Sequence, residues 1–330
     1  MVKWAIVATG FISNQFAQGL NLVGDASLFA TASRDADRAK AFAEKHGAKK
    51  FYGSYEQLAA DSEVDIVYIG TPNNSHLEIT EMFLNAGKHV LCEKPIGVNL
   101  KQTSSMVNLA REKNLFLMEG MWTRFFPVMK KTVEWIKQGR IGTPRFLSAN
   151  FGTEAGDNWR TRMALTGGAL LDVGIYPLSL AFLIFGNDYK ALKGMGLTND
   201  EGIDMINSFM LEYDNKIASL ASAVGQVMNN RVYIEGSEGR IFMDGDWWRP
   251  KRVVLTKGVK DILYYSEEFE VFEDNYESTG FQYEAAHVTE CISKGLKESP
   301  VMPLDESLAI AKAMDLLRKD FGVIYEEDKD

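Results

Sequence analysis

Along the first 120 residues, short apolar β-branched runs alternate with amphipathic runs of helical spacing, the pattern of a parallel sheet wrapped by helices. Residues 3–8 and 27–33 read as strands, and residues 13–22 and 35–46 as helices, the second stopped by Gly47 at a left-handed cap position. Ser54 with Gln57, and Ser75 with Glu78, have capping-box spacing and start two further helices. Residues 64–70 between them read as an apolar central strand. Residues 88–92 and 115–119 add two strands, separated by a helix over 100–113. After Gly120 the pattern changes. Pro127 opens a helix to Gln138, and strands follow at 145–152, 205–213, 216–224, 231–235, 240–243 and 252–256. The Asp214-Asn215 pair and residues 236–239 are hairpin turns, so this sheet is expected to be antiparallel. Helices at 282–294 and 305–320 close the chain, and the acidic residues 326–330 are expected to fray. The fold class expected is α/β: a doubly wound parallel sheet over residues 1–120, then an α+β domain with an open, largely antiparallel sheet over 121–330.

Composition narrows the function classes. A chain of 330 residues suits two domains, and 46% hydrophobic with 25% charged residues is the balance of a soluble globular protein. A net charge of −9 argues against a nucleic-acid or anionic-membrane partner, although a local basic cluster is enough for a phosphorylated cofactor. Two cysteines are too few for a disulfide framework and suit a reducing compartment, and the scattered His and Cys residues predict no metal site. The N-terminal apolar run is too short for a signal peptide. Residues 168–186 approach the length of a membrane span but hold Asp172 and Pro177, which favours a buried helix with one functional carboxylate. A cytoplasmic location is expected.

Four clusters carry candidate chemistry. Thr9, Gly10, Phe11 and Ile12 sit where the first strand turns into the first helix, the place of a dinucleotide fingerprint of which only the middle glycine is kept. At the end of the second strand, Ser33 and Arg34, with Arg38 a turn later, suit a 2′-phosphate and favour NADP over NAD; Asp35 next to them supports a plain solvated helix start instead. Thr71, Pro72, Asn73 and His76 follow the central strand and Glu93-Lys94-Pro95 the next one, both at carboxyl ends where open α/β sheets bind ligands. The Lys94–Pro95 bond is one that tolerates a cis form. Asp172 and Tyr176, four apart, share one face of a helix; a buried Asp–Tyr hydrogen bond is the plainer explanation of that spacing.

The combination of Thr71-Pro72-Asn73 with His76, Glu93-Lys94-Pro95, Trp122-Thr123-Arg124-Phe125-Phe126-Pro127 and the run from Gly167 through Asp172 to Tyr176 resembles the glucose–fructose oxidoreductase / inositol dehydrogenase (Gfo/Idh/MocA) family. The resemblance spans essentially the whole chain and is nearest the branch of dimeric dihydrodiol dehydrogenase and NADP-dependent D-xylose dehydrogenase. It implies a Rossmann domain that binds NADP or NAD, a C-terminal domain whose open sheet forms a homodimer or higher oligomer, and an active site lined by Lys94, Asp172 and Tyr176. The reaction implied moves a hydride between nicotinamide and a CH–OH carbon of a sugar, polyol or trans-dihydrodiol. Tyr176 is then the acid/base, its phenol tuned by the Lys94 ammonium, and Asp172 orients lysine or substrate; direct proton transfer by Lys94 is the rival assignment. Trp122, Arg124 and Phe125 are expected in the substrate wall, and Trp159 and Arg160 toward the cofactor; burial in the core is the plainer reading of the aromatics, and a surface salt bridge that of Arg160. A catalytically inert NADP-binding regulator of the same fold is the alternative, against which the retained Lys94, Asp172 and Tyr176 weigh. A methyltransferase would give no reason for the Glu93-Lys94-Pro95 cluster.

Overall fold

A computed structural model describes residues 1–154, 159–258 and 268–329. The chain divides into two compact units, Met1–Phe125 with Glu277–Ala311, and Phe126–Tyr276 with Lys312–Asp330.

The first unit is built on β1 (Val2–Val7), α1 (Phe11–Leu20), β2 (Ala26–Ala32), α2 (Ala36–His46), β3 (Lys50–Tyr52), α3 (Tyr55–Ala59), β4 (Ile66–Ile69), α4 (His76–Asn85), β5 (His89–Glu93), α5 (Leu100–Glu112) and β6 (Leu117–Gly120). All six strands are parallel, in the order β3-β2-β1-β4-β5-β6. The order reverses between β1 and β4, so the crevice at their carboxyl ends is the ligand position of this topology. Gly47 caps α2 with a φ of 80°, and the Ser54 hydroxyl accepts the Gln57 N–H, as their spacing predicted. The Ser75 box does not form. Ser75 belongs to a 3₁₀ turn, Asn73–Ser75, and its hydroxyl donates to the Pro72 carbonyl, so it stands at the N-cap of α4 without a side-chain cap bond.

The second unit runs through α6 (Pro127–Lys137), β7 (Pro144–Thr153), α7 (Ile175–Phe185), β8 (Ala191–Thr198), β9 (Asp204–Glu212), β10 (Ile217–Val224), β11 (Val232–Gly236), β12 (Gly239–Met243), β13 (Arg252–Lys257) and β14 (Glu268–Glu273). The eight strands form one sheet in the order β14-β13-β12-β11-β7-β10-β9-β8, antiparallel except for the β7–β10 pair. β8 has no strand signature in the sequence because of its glycines. A Cβ on Gly194 or Gly196 would lie within 3 Å of the Phe321 ring, so the strand uses glycine to accept an aromatic from far along the chain. Residues 146–149, 209–211, 217–220 and 232–235 alternate inward and outward, and the inward set (Leu147, Ala149, Phe209, Leu211, Leu220, Ile234) is the core of this unit.

Two helices complete the chain, α8 (Phe281–Ser293) and α9 (Leu304–Phe321). α8 belongs to the first unit and lies against α1: a Cβ on Gly19 would be 2.6 Å from the Gln282 nitrogen, and the Trp4 indole N–H donates to Thr289 Oγ1 at 3.1 Å. Of the acidic tail, residues 326–329 do not fray, and Asp330 lies outside the described residues. Glu326–Asp328 is a 3₁₀ turn capped by Tyr325, and Asp328 pairs with Arg318 at 2.5 Å. The apolar stretch Met163–Phe185 is long and apolar enough to cross a membrane by composition, yet 89% of its most apolar window is buried inside the protein.

Candidate active site

In the first unit the site begins at the end of β1. Ala8 has a φ of 72°, the left-handed conformation that a fingerprint glycine would take without strain, at about 1–2 kcal/mol for an L-residue. The turn is thus kept although the glycine is not. Gly10 then caps α1 in extended geometry, and the space beside it is open, with nothing within 4 Å of where a Cβ would stand. The free N–H groups of the first helical turn, at Phe11 and Ile12, make this an anion-binding end. Asn14, which the sequence reading passed over, braces the loop: its amide donates to the Gly10 carbonyl at 2.8 Å and its oxygen accepts from Lys45 at 2.8 Å.

At the end of β2, Ser33 is buried and accepts the Asp35 N–H at 3.3 Å. The Asp35 carboxylate is engaged as the α2 cap, accepting from Asp37 and Arg38 at 2.9 and 3.1 Å. That is the solvated helix start Asp35 suggested, and it leaves the exposed Arg34 and Arg38 beside it, whose guanidinium fields both reach the Tyr55 phenol, which burial otherwise pushes above its ordinary pKa.

Thr71, Pro72 and Asn73 follow β4. His76 is buried and joins two loops, Nδ1 facing the Pro95 carbonyl at 2.8 Å and Nε2 the Thr71 carbonyl at 3.0 Å. Burial lowers its pKa, against the pull of the two carbonyls. His76 therefore sets the loops rather than reaching outward. Glu93 is buried at the end of β5, accepting from the Tyr68 hydroxyl at 2.6 Å and from the Lys94 N–H at 3.2 Å, with burial pushing its carboxyl upward. Lys94 is half-buried and its bond to Pro95 is cis. Three buried polar atoms around the crevice, Thr9 Oγ1, Thr71 Oγ1 and Asn73 Nδ2, have no hydrogen-bond partner among the described residues. Buried polar atoms are otherwise satisfied, so these orphans, with the open space at Gly10, fit a dinucleotide. Among the described residues no group of three His, Cys, Asp or Glu side chains could hold a metal ion.

Two expected substrate residues are placed otherwise. Arg124 is 3% exposed and donates to the Val301 carbonyl and the Glu306 carboxylate, and Phe125 is fully buried against the His287 ring at 4.7 Å. Both anchor the 3₁₀ turn Trp122–Phe125 within the first unit, because a buried guanidinium is held by its acceptors. Trp122 stays partly exposed and stacks on Phe281, centroids 4.4 Å apart.

In the second unit, Asp172 lies in a π-helical turn, Leu170–Gly174, and Tyr176 in the first turn of α7. Single π turns are frequent at functional sites. Both residues are nearly buried, Asp172 at 4% and Tyr176 at 8% exposure. Asp172 accepts from Arg160 Nε at 2.5 Å, a pairing the sequence spacing did not suggest. The Trp159 side chain lies outside the described residues. The structure also adds residues the sequence reading missed. Phe151, at the end of β7, is 5.4 Å from the Tyr176 ring and stacks on Trp248 at 3.6 Å, with Trp247 edge-on. The adjacent tryptophans 247 and 248, outside any strand, were the available signal.

Residues 2–121 match the family model described as an oxidoreductase family with an NAD-binding Rossmann fold, and residues 129–242 match the GFO/IDH/MocA C-terminal domain. The trans-1,2-dihydrobenzene-1,2-diol dehydrogenase of Homo sapiens is 37% identical over 99% of each chain, and that of Xenopus laevis 38% identical over 98% of this chain and 99% of the relative. A 3-ketoreductase from Actinomadura kijaniata, solved with NADP and TDP-benzene, superposes with a TM-score of 0.86 at 25% identity over 98% of this chain and 99% of that one. Levoglucosan dehydrogenase, solved with NADH and levoglucosan, shares the fold at a TM-score of 0.87 and 17% identity over 97% of each.

Proposed function

The chain belongs to the GFO/IDH/MocA family of NAD(P)-dependent oxidoreductases, and from that premise we propose that it oxidises a secondary hydroxyl of a vicinal diol, a trans-dihydrodiol or a sugar-like ring, with NADP preferred. The observation that carries this reading is the stacked aromatic pair Phe151–Trp248, with Phe151 next to a nearly buried Tyr176, which sets an apolar aromatic group beside an acid/base phenol. The matched relatives take a dihydrobenzene diol by name, and a ring of that kind suits such a wall. The exposed Arg34 and Arg38, beside Ser33, support the 2′-phosphate.

Thr9, Gly10, Phe11, Ile12, Thr71 and Asn73 would hold the dinucleotide, through the α1 N–H groups and the orphaned side-chain atoms. The nicotinamide, when bound, supplies the hydride acceptor or donor. Tyr176 takes the proton from the reacting hydroxyl in oxidation and returns it in reduction. Lys94 is the cation assigned to the reacting oxygen, with Glu93 holding its backbone N–H. Asp172 pairs with Arg160 at 2.5 Å, which holds a carboxylate in a fixed position in the turn that leads into the helix of Tyr176.

Residues 1–120 and 121–330 are proposed as the cofactor and substrate domains by sequence, and a homodimer as the assembly. The outward face of the second unit's sheet supports the latter: Phe146, Met195, Leu197, Met210, Ile217 and Val271 are all at least 36% exposed. The strand registers put them on one side. A cytoplasmic location is part of the same proposal.

The deciding test is Tyr176→Phe with NADP and a panel of trans-dihydrodiols, aldoses and inositols. Turnover should fall about 10²–10⁴-fold, with NADP affinity unchanged by fluorescence titration. Near-normal turnover removes Tyr176 from the role. Silence of the native protein across the panel in both directions, with cofactor binding intact, would favour the inert regulator.

A further inference from the structure

The segment carrying Asp172 and Tyr176 is tied down at its start by one buried acid. Asp204, fully buried at the first position of β9, accepts the Leu170 N–H and an Asn207 amide hydrogen on the same oxygen, each at 2.7 Å. Asn207 in turn accepts from the Ser222 hydroxyl of β10 at 2.8 Å. The Tyr325 hydroxyl donates to the Gly167 carbonyl just upstream. Gly168 has a φ of 126°, and a Cβ there would stand 2.5 Å from Asp204 Oδ1, so the backbone passes directly over the carboxyl. That Oδ1 has no hydrogen-bond partner among the described residues. The ionisable groups facing Asp204 are the Tyr325 phenol and the Arg318 guanidinium of α9, the latter already paired with Asp315 and Asp328.

The anion and the neutral acid serve Leu170 differently. A carboxylate accepts two N–H groups at Oδ2 as charge-assisted bonds. A proton added to the group occupies a position with no acceptor among the described residues and weakens both bonds. Burial pushes the Asp204 carboxyl up to about 7, against the pull of Leu170, Asn207 and Arg318, so both forms are populated near neutrality.

Resting on the function proposed above, we propose that Asp204 is a positioning residue for the reaction: its carboxylate, by accepting the Leu170 N–H, holds the π-helical turn so that Asp172 and Tyr176 stay placed, and proton uptake by that carboxylate releases the hold.

The test uses the full chain with NADP and trans-1,2-dihydrobenzene-1,2-diol, comparing the native protein with Asp204→Asn and Asn207→Leu. The native kcat should fall on the acid side of about pH 7, where Asp204 takes its proton. In Asp204→Asn that limb should vanish and kcat at pH 8 should drop about tenfold or more, the scale of a small misplacement of reacting groups, with NADP affinity unchanged. Amide exchange over residues 167–176 should be faster than native at pH 8 and equal to it at pH 6. Asn207→Leu removes a donor that favours the anion and should move the limb to higher pH, which decides the matter if Asp204→Asn does not fold. A retained acid limb, or native exchange rates in Asp204→Asn at pH 8, would overturn the proposal, as would a lower melting temperature with an unchanged pH profile. If the native protein turns over none of this substrate, the functional reading fails by itself, and the exchange comparison still decides the role of Asp204.

Discussion

Glu284→Gln should make the first unit more stable, by an amount that grows with pH. Glu284 on α8 is fully buried, and neither of its carboxyl oxygens has a hydrogen-bond partner among the described residues. Its neighbour Glu93, already bound to Tyr68, adds repulsion, and burial is the larger cause that drives its pKa well above 4.5. The folded group therefore keeps its proton where the unfolded one loses it. A folded pKa above the unfolded value means that stability is fully present below the unfolded value and lost as pH rises. While the folded acid stays neutral, the loss is about 1.4 kcal/mol per pH unit, or about 3 kcal/mol from pH 5 to pH 7. Glutamine has the same shape and no such dependence. Urea unfolding of native and variant protein, followed by tryptophan fluorescence every half unit from pH 5 to pH 8, reads the difference directly. The two curves should lie nearest at pH 5 and diverge steadily above it. A stability difference that stays constant across the range would mean that Glu284 is ionised and partnered in the fold, and would refute the reasoning.

Arg34→Ala and Arg38→Ala should each raise the KM for NADP about 10–100-fold, the worth of a hydrogen bond to a charged group, with the KM for NAD nearly unchanged. Equal losses with both cofactors would take the guanidiniums away from the 2′-phosphate. Met195→Lys, on the exposed face of β8, should turn a dimer into a monomer in sedimentation at micromolar concentration; a native protein that sediments as a monomer there would remove the sheet from that role.

Much of the first unit was legible because its signals are local. Strand and helix periods, the Gly47 stop and the Ser54 cap each depend on a few neighbouring residues, and the parallel direction of the strands follows from their alternation with helices. The positions of Thr9, Thr71 and Asn73 at strand ends were legible for the same reason, since topology places the crevice. Ser75 misled because a 3₁₀ turn competes for its hydroxyl within the same four residues. Strand β8 was hidden because its glycines answer to Phe321, not to their neighbours.

The sequence by itself determined the fold class, the family and the chemical types at the candidate site: a lysine after one parallel strand, and a carboxylate and a phenol four residues apart. Only the tertiary structure decided what each of them touches. It sent Arg124 to Glu306 instead of a pocket, paired Arg160 with Asp172, and set Phe151 and Trp248 beside Tyr176. It also placed Asp204 beneath the turn that carries Asp172. The physical reason is the range of the interactions. Backbone propensity acts over a turn or a strand, whereas ion pairs, ring stacks and desolvation are set by whichever distant segment the fold brings within a few ångströms.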